Sequence, residues 1–177
     1  MTRFVAFLRA INVGGHTVTM DALRRLFEDL GLTEVETFIA SGNVLFASRS
    51  GNRAALTTLI EDHLGGALGF EVATFLRTRA EVAAIAAYQP FTAARVRDAG
   101  ALCVGFLATP LPAAATKSLM ALKTSIDDFH VHGAEAWWIC AKKQSESKFS
   151  NAVFERKVGV RVTFRGAATV AKLAARL

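Results

Sequence analysis

Cysteine is nearly missing from this chain of 177 residues, which has only Cys103 and Cys140. Each lies inside an apolar, strand-like run with no CxxC pair, which predicts two buried thiols and excludes a disulfide framework or a cysteine-based metal centre. His130 and His132 sit two apart, on one strand face, with no third ligand at metal spacing, so no metal is expected. A long apolar run is lacking too. The longest uncharged one, Ala99 to Thr116, contains Pro110 and Pro112 and is strand-like only as far as Ala108, which makes it a poor membrane span. Arg9 interrupts the opening apolar run, which predicts no signal peptide and a cytoplasmic location. The chain has no Gly-Lys-Ser/Thr phosphate loop, no G-x-G-x-x-G fingerprint and no G-x-S-x-G elbow, and no cofactor is expected.

What is present is a large apolar fraction, 52%, enough for a packed core. The formal charge of +6 is unevenly placed. Residues 142–177 carry nine Lys/Arg against two Asp/Glu, so the whole excess lies in the last part of the chain and suggests one basic face.

Periodicity gives the same order of elements twice. Arg3 to Ala10 reads as a strand, and Met20 to Leu30 as a helix behind a Thr19 cap, with Gly31 as stop. Val35 to Ala40 and Val44 to Ala47 read as strands around the three-residue turn Ser41-Gly42-Asn43. Asn52 caps a helix weakened at its end by Gly65-Gly66, Val72 to Arg77 is a strand, and a helix runs from Arg79 to about Ala87. After Gln89-Pro90 and the Gly100 loop, the order returns: strand 102–108, helix 112–122, strands 129–131 and 136–141 around Gly133-Ala134, a helix capped by Ser150 and ended by Gly159, strand 160–164 and helix 167–177. Asp127-Asp128 reads as a turn pair. The expectation is an α+β fold of two tandem ferredoxin-like units, β-α-β-β-α-β plus a helix, over residues 1–89 and 90–177, each with strand order 4-1-3-2. Phe4, Ala6 and Leu8 point one way and Val5 and Phe7 the other, so both faces of the first strand should be covered.

This topology brings two loops to one end of the first sheet. The loop from Arg9 to Thr19 follows the first strand, and the Ser41-Gly42-Asn43 turn follows a strand parallel to it. Arg9, Asn12, the Gly14 and Gly15 amides, Ser41, Gly42 and Asn43 would then offer donors suited to phosphate, carboxylate or a base edge, with His16 nearby. The plainer reading is that the glycines supply positive φ and the asparagine and serine side chains satisfy their own turns. A second candidate is Ser147-Lys148-Phe149-Ser150-Asn151, where Lys148 and Asn151 lie at a helix start; here too a plain Ser150 cap is the alternative.

At Leu8-Arg9-Ala10-Ile11-Asn12-Val13-Gly14-Gly15, at Phe38-Ile39-Ala40-Ser41-Gly42-Asn43-Val44-Leu45-Phe46 and at Ser147-Lys148-Phe149-Ser150-Asn151 with Glu155-Arg156-Lys157 and Gly159, the chain resembles the bacterial family of domain-of-unknown-function 1697. The resemblance implies a two-part α+β structure and no established activity. Two departures stand out. Ala10 follows Arg9 where relatives usually have glycine, and Arg165-Gly166-Ala167 stands where they commonly have Arg-Asn-Trp, so Arg165 alone carries over.

The reading with most support is a small phosphate-bearing or nucleotide-like ligand held at loops near the junction of the two units, by Arg9, Asn12, Ser41, Asn43 and Lys148, with Arg165 as a further candidate. The alternative is nucleic-acid binding by the basic C-terminal region, against which no strand carries an RNP1 pattern. An enzyme is the third reading, with His16 as its acid-base group. The residues name neither a reaction nor an oligomeric state.

Overall fold

The computed structural model describes residues 1–177, a mixed α+β architecture with two four-stranded antiparallel sheets and seven helices. It divides into two compact units. The first comprises Met1–Ala84 with Leu173–Leu177, and the second Ile85–Lys172.

In the first unit the order is β1 (Thr2–Leu8), α1 (Met20–Glu28), β2 (Thr33–Thr37), β3 (Asn43–Ser48), α2 (Arg53–Leu68), β4 (Thr74–Thr78) and α3 (Arg79–Ala87). The strands lie as β2-β3-β1-β4, the expected arrangement, with β1 paired to both β3 and β4. Phe4, Ala6 and Leu8 face the helices and join Val44, Phe46, Leu23, Phe27, Leu56, Ile60 and Leu64 in one core. The alternate residues Val5, Phe7 and Leu45 are also fully buried, so both faces of the sheet are covered. Thr19 caps α1 by accepting from the Ala22 amide, and Asn52 caps α2 by accepting from Ala55. Gly65 and Gly66 do not end α2. Burial of Leu64 and packing of Leu68 outweigh their low propensity, and the helix stops at left-handed Gly69.

The second unit holds α4 (Ala93–Asp98), β5 (Ala101–Phe106), α5 (Ala113–Met120), β6 (Asp127–His132), β7 (Glu135–Cys140), α6 (Asn151–Val158) and β8 (Thr163–Gly166), in strand order β6-β7-β5-β8. The last helix, α7 (Ala167–Arg176), follows directly. Its core gathers Leu119, Trp138, Phe149, Phe154 and Val162, with both cysteines buried and free. Burial first, and the nearby Cys140 second, push the Cys103 thiol up to about 11. Three sequence expectations are corrected here. Short α4 replaces part of a loop, Asp127-Asp128 begins β6 instead of making a turn, and the last strand starts at Thr163 rather than Val160.

Asp127 belongs in a strand because its carboxylate is satisfied there. It is 3% exposed and accepts from Trp138 Nε1 at 2.9 Å, Ser147 Oγ at 2.8 Å and Thr124 Oγ1 at 2.8 Å. Burial works to raise its pKa, but the Trp138, Ser147 and Thr124 bonds prevail, and the carboxyl titrates below its ordinary 3.8.

Candidate functional site

The two loops expected to meet do so at one end of the first sheet. Leu8 N–H donates to Gly42 O at 2.8 Å, and Asn12 Nδ2 donates to Ala40 O at 2.8 Å. The other end of the same amide, Asn12 Oδ1, accepts from Val18 N–H at 2.7 Å. Asn12 therefore pins both the start of its own loop to its end and that loop to the next one. Gly42 permits the approach. It sits at φ +82°, and a Cβ there would stand 3.0 Å from Ile11 Cβ and 3.2 Å from Leu8 Cβ.

The second loop is longer than the sequence suggests. The connection between β2 and β3 spans 38–42, and Asn43 is the first strand residue. Asn43 is fully buried and closes the loop by donating from Nδ2 to Phe38 O and Ser41 Oγ, both at 3.0 Å, while its carbonyl accepts from Phe38 N–H at 2.9 Å. The side-chain amides of Asn12 and Asn43 thus build the site and do not face it.

Val13-Gly14-Gly15-His16 is a tight turn closed by His16 N–H to Val13 O at 3.1 Å. Its central residues have φ +60° and +86°, the pattern of a type I′ turn, which explains the glycine pair. The Gly14 and Gly15 N–H groups make no hydrogen bond within the chain, and both residues are exposed. The His16 ring stacks on Phe70 with centroids 4.0 Å apart. Arg9 is half-buried at the start of the loop, its backbone N–H bonded to Ala73 O.

Backbone strain concentrates on these same loops. Four non-glycine residues have left-handed φ, and three of them, Ala10 (+65°), Asn12 (+59°) and Ile39 (+52°), lie on the two joined loops. Ala10 thus takes a backbone conformation that glycine adopts without steric cost.

The second motif resolves into structural roles with one exception. Ser147 bonds Asp127 and accepts from Phe149 N–H at 3.0 Å. Phe149 packs on Trp138 and Phe129, and Ser150 caps α6 through Val153 N–H. Asn151 Nδ2 donates to Glu155 Oε2, which also accepts from Val162 N–H. Only Lys148 reaches solvent as a charged group.

Arg165 is 7% exposed, and its Nη1 donates to Thr163 Oγ1 at 2.7 Å and Phe164 O at 2.9 Å. Burial pulls the guanidinium down to about 10. The first unit has a counterpart that sequence reasoning missed. Arg77, 3% exposed, donates from Nη1 to the preceding Leu76 O and lies opposite Val5 on β1, as Arg165 lies opposite Val104 on β5. Of the C-terminal cations, Arg165 is thus buried and Arg176 is paired with Glu36.

The family model described as "Protein of unknown function (DUF1697)" matches residues 1–137. The chain belongs to the DUF1697 family. Among solved structures, the conserved bacterial protein SP0830 from Streptococcus pneumoniae is similar over 100% of this chain and 98% of its own, at 25% identity and a TM-score of 0.76. No curated protein matches the chain. The DUF1697 match contains both joined loops and ends inside β7, before Ser147-Lys148-Phe149-Ser150-Asn151. No helix is long and apolar enough to cross a membrane, and no group of three or more His, Cys, Asp or Glu side chains is arranged to hold a metal ion.

Proposed function

We propose that each unit is a ferredoxin-like split β-α-β fold and that this DUF1697 protein, a cytoplasmic one, binds a small phosphate-bearing or nucleotide-like anion at the joined loops of its first unit. One observation carries the reading: three left-handed non-glycine residues on two loops that the Asn12 side chain ties together. Such conformations cost about 1–3 kcal/mol each and persist where the surrounding structure enforces them, commonly at binding sites. The exposed Gly14 and Gly15 N–H groups, without a hydrogen bond in the chain and on the same loop as Arg9 and His16, form a donor set suited to an oxyanion. Asn12, Asn43 and Gly42 hold the frame; Arg9, the two glycine amides and Ser41 are the contacts. Lys148, Asn151 and Arg165 are not needed for it.

Inorganic phosphate and a nucleoside monophosphate are the probes. Amide chemical shifts of Val13 to His16 should move saturably on titration with at least one of them. Arg9→Ala should abolish that response without lowering the unfolding midpoint. An unchanged response in Arg9→Ala removes the arginine from the site, and no saturable shift in the native protein removes the site.

A further inference from the structure

A different feature lies in the second unit, where the single tyrosine is surrounded by rings. Tyr88 stacks on His132 with centroids 4.2 Å apart and planes 12° apart, tilts against Trp137 at 4.8 Å, and its hydroxyl meets His130 Nε2 at 2.8 Å. Beside this cluster is a partly open pocket of about 180 Å³, walled by Tyr88, Trp137, Ile85, Leu102, Val104 and Val170. A volume of about 150 Å³ is enough to accept one benzene-sized ring.

Apart from Gln89 and the Tyr88 hydroxyl the walls are apolar, and two of them, Tyr88 and Trp137, are aromatic. Trp137 and Val104, each 2% exposed, both belong to the pocket's lining. The Tyr88 hydroxyl shares one interaction with His130 and keeps acceptor capacity for a further donor. We propose that this pocket is a binding site for a small planar ring carrying one hydroxyl or ring N–H, the chemical class of phenol and indole. The aliphatic walls would enclose the ring, the aromatic faces would stack on its edge or face, and the Tyr88 hydroxyl oxygen, held by His130, would receive its polar hydrogen. This site is independent of the anion-binding loops.

Phenol is the probe and benzene its control, each titrated into the full chain and followed by side-chain and amide shifts. Saturable phenol shifts at Tyr88, Trp137, Val104 and Val170 are expected. Ala167, at the pocket rim, can be enlarged to fill the space, and Ala167→Phe should abolish phenol binding while keeping an unfolding midpoint at or above the native one. Tyr88→Phe keeps the ring and should weaken phenol about tenfold while leaving benzene unchanged. Absence of saturable phenol shifts overturns the proposal. So does a folded Ala167→Phe variant that binds phenol like the native chain, or a Tyr88→Phe variant that weakens phenol and benzene equally.

Discussion

The two units use one strand order and treat the same end of the sheet differently. In the first, Leu8 N–H bonds Gly42 O; in the second, Leu107 N–H bonds Ala134 O at the matching place after the first strand. Around this shared bond the first unit places a β1–α1 loop over 9–19 and a β2–β3 loop over 38–42. The second makes do with 107–112 and the two-residue turn Gly133-Ala134. All four non-glycine residues with left-handed φ lie in the first unit. The first unit's loops are thus longer than the topology requires, and the left-handed non-glycine backbone is confined to that unit. The second unit spends its polar side chains on holding itself together around Asp127.

Breaking the second unit's anchor should have the largest effect. Asp127→Ala leaves the Trp138 indole, Ser147 and Thr124 without their acceptor, and a loss of about 3 kcal/mol in denaturant unfolding is expected. The native protein should show the same dependence through pH. The Asp127 carboxyl is held below 3.8, so its contribution is complete above that value and disappears as pH falls through the lower folded-state pKa. Asp127→Asn should remove that acid-side loss from the stability profile.

Next in size is Gly42→Ala, in which strained φ combines with a 3.0 Å approach to Ile11; about 2 kcal/mol and separation of the loops are expected. Gly133→Ala, the matching test in the second unit, meets only the Glu135 Oε2 tip at 3.3 Å and should cost about 1 kcal/mol, mainly from φ +57°. Equal costs would deny that, at this end of the sheets, close loop approach is special to the first unit.

Asn12→Ala removes two hydrogen bonds from an exposed residue and should lower stability by about 1 kcal/mol. Its larger effect should be on phosphate titration, through loss of loop geometry. The smallest change is Ala10→Gly, which relieves a left-handed alanine at φ +65° and should raise stability by up to about 1 kcal/mol.

Much of the architecture could be read locally. Caps at Thr19, Asn52 and Ser150 each have a hydrogen-bonding mechanism confined to one turn, and α3 falls on its expected Arg79–Ala87. The adjacency of the two loops was legible because strand order and chain direction determine which ends coincide. Features that depend on distant partners were not. Asp127 looks like a turn residue until Ser147 and Trp138 are placed beside it, and α4 has no apolar period to announce it. Within the joined loops, the sequence pointed to donors but could not separate side chains that face outward from those consumed in building the frame. Asn12 and Asn43 belong to the second kind because their partners are backbone atoms of a neighbouring loop or of their own turn.

The two buried cysteines supply a clock for opening. Cys103 titrates at about 11 and Cys140 is fully shielded, so neither presents a thiolate to a soluble alkylating reagent while the fold is closed. Labelling under native conditions then counts only molecules whose second unit has opened. A cysteine placed at Val13, 58% exposed on the strained loop, would react at once and report the first unit separately in the same tube.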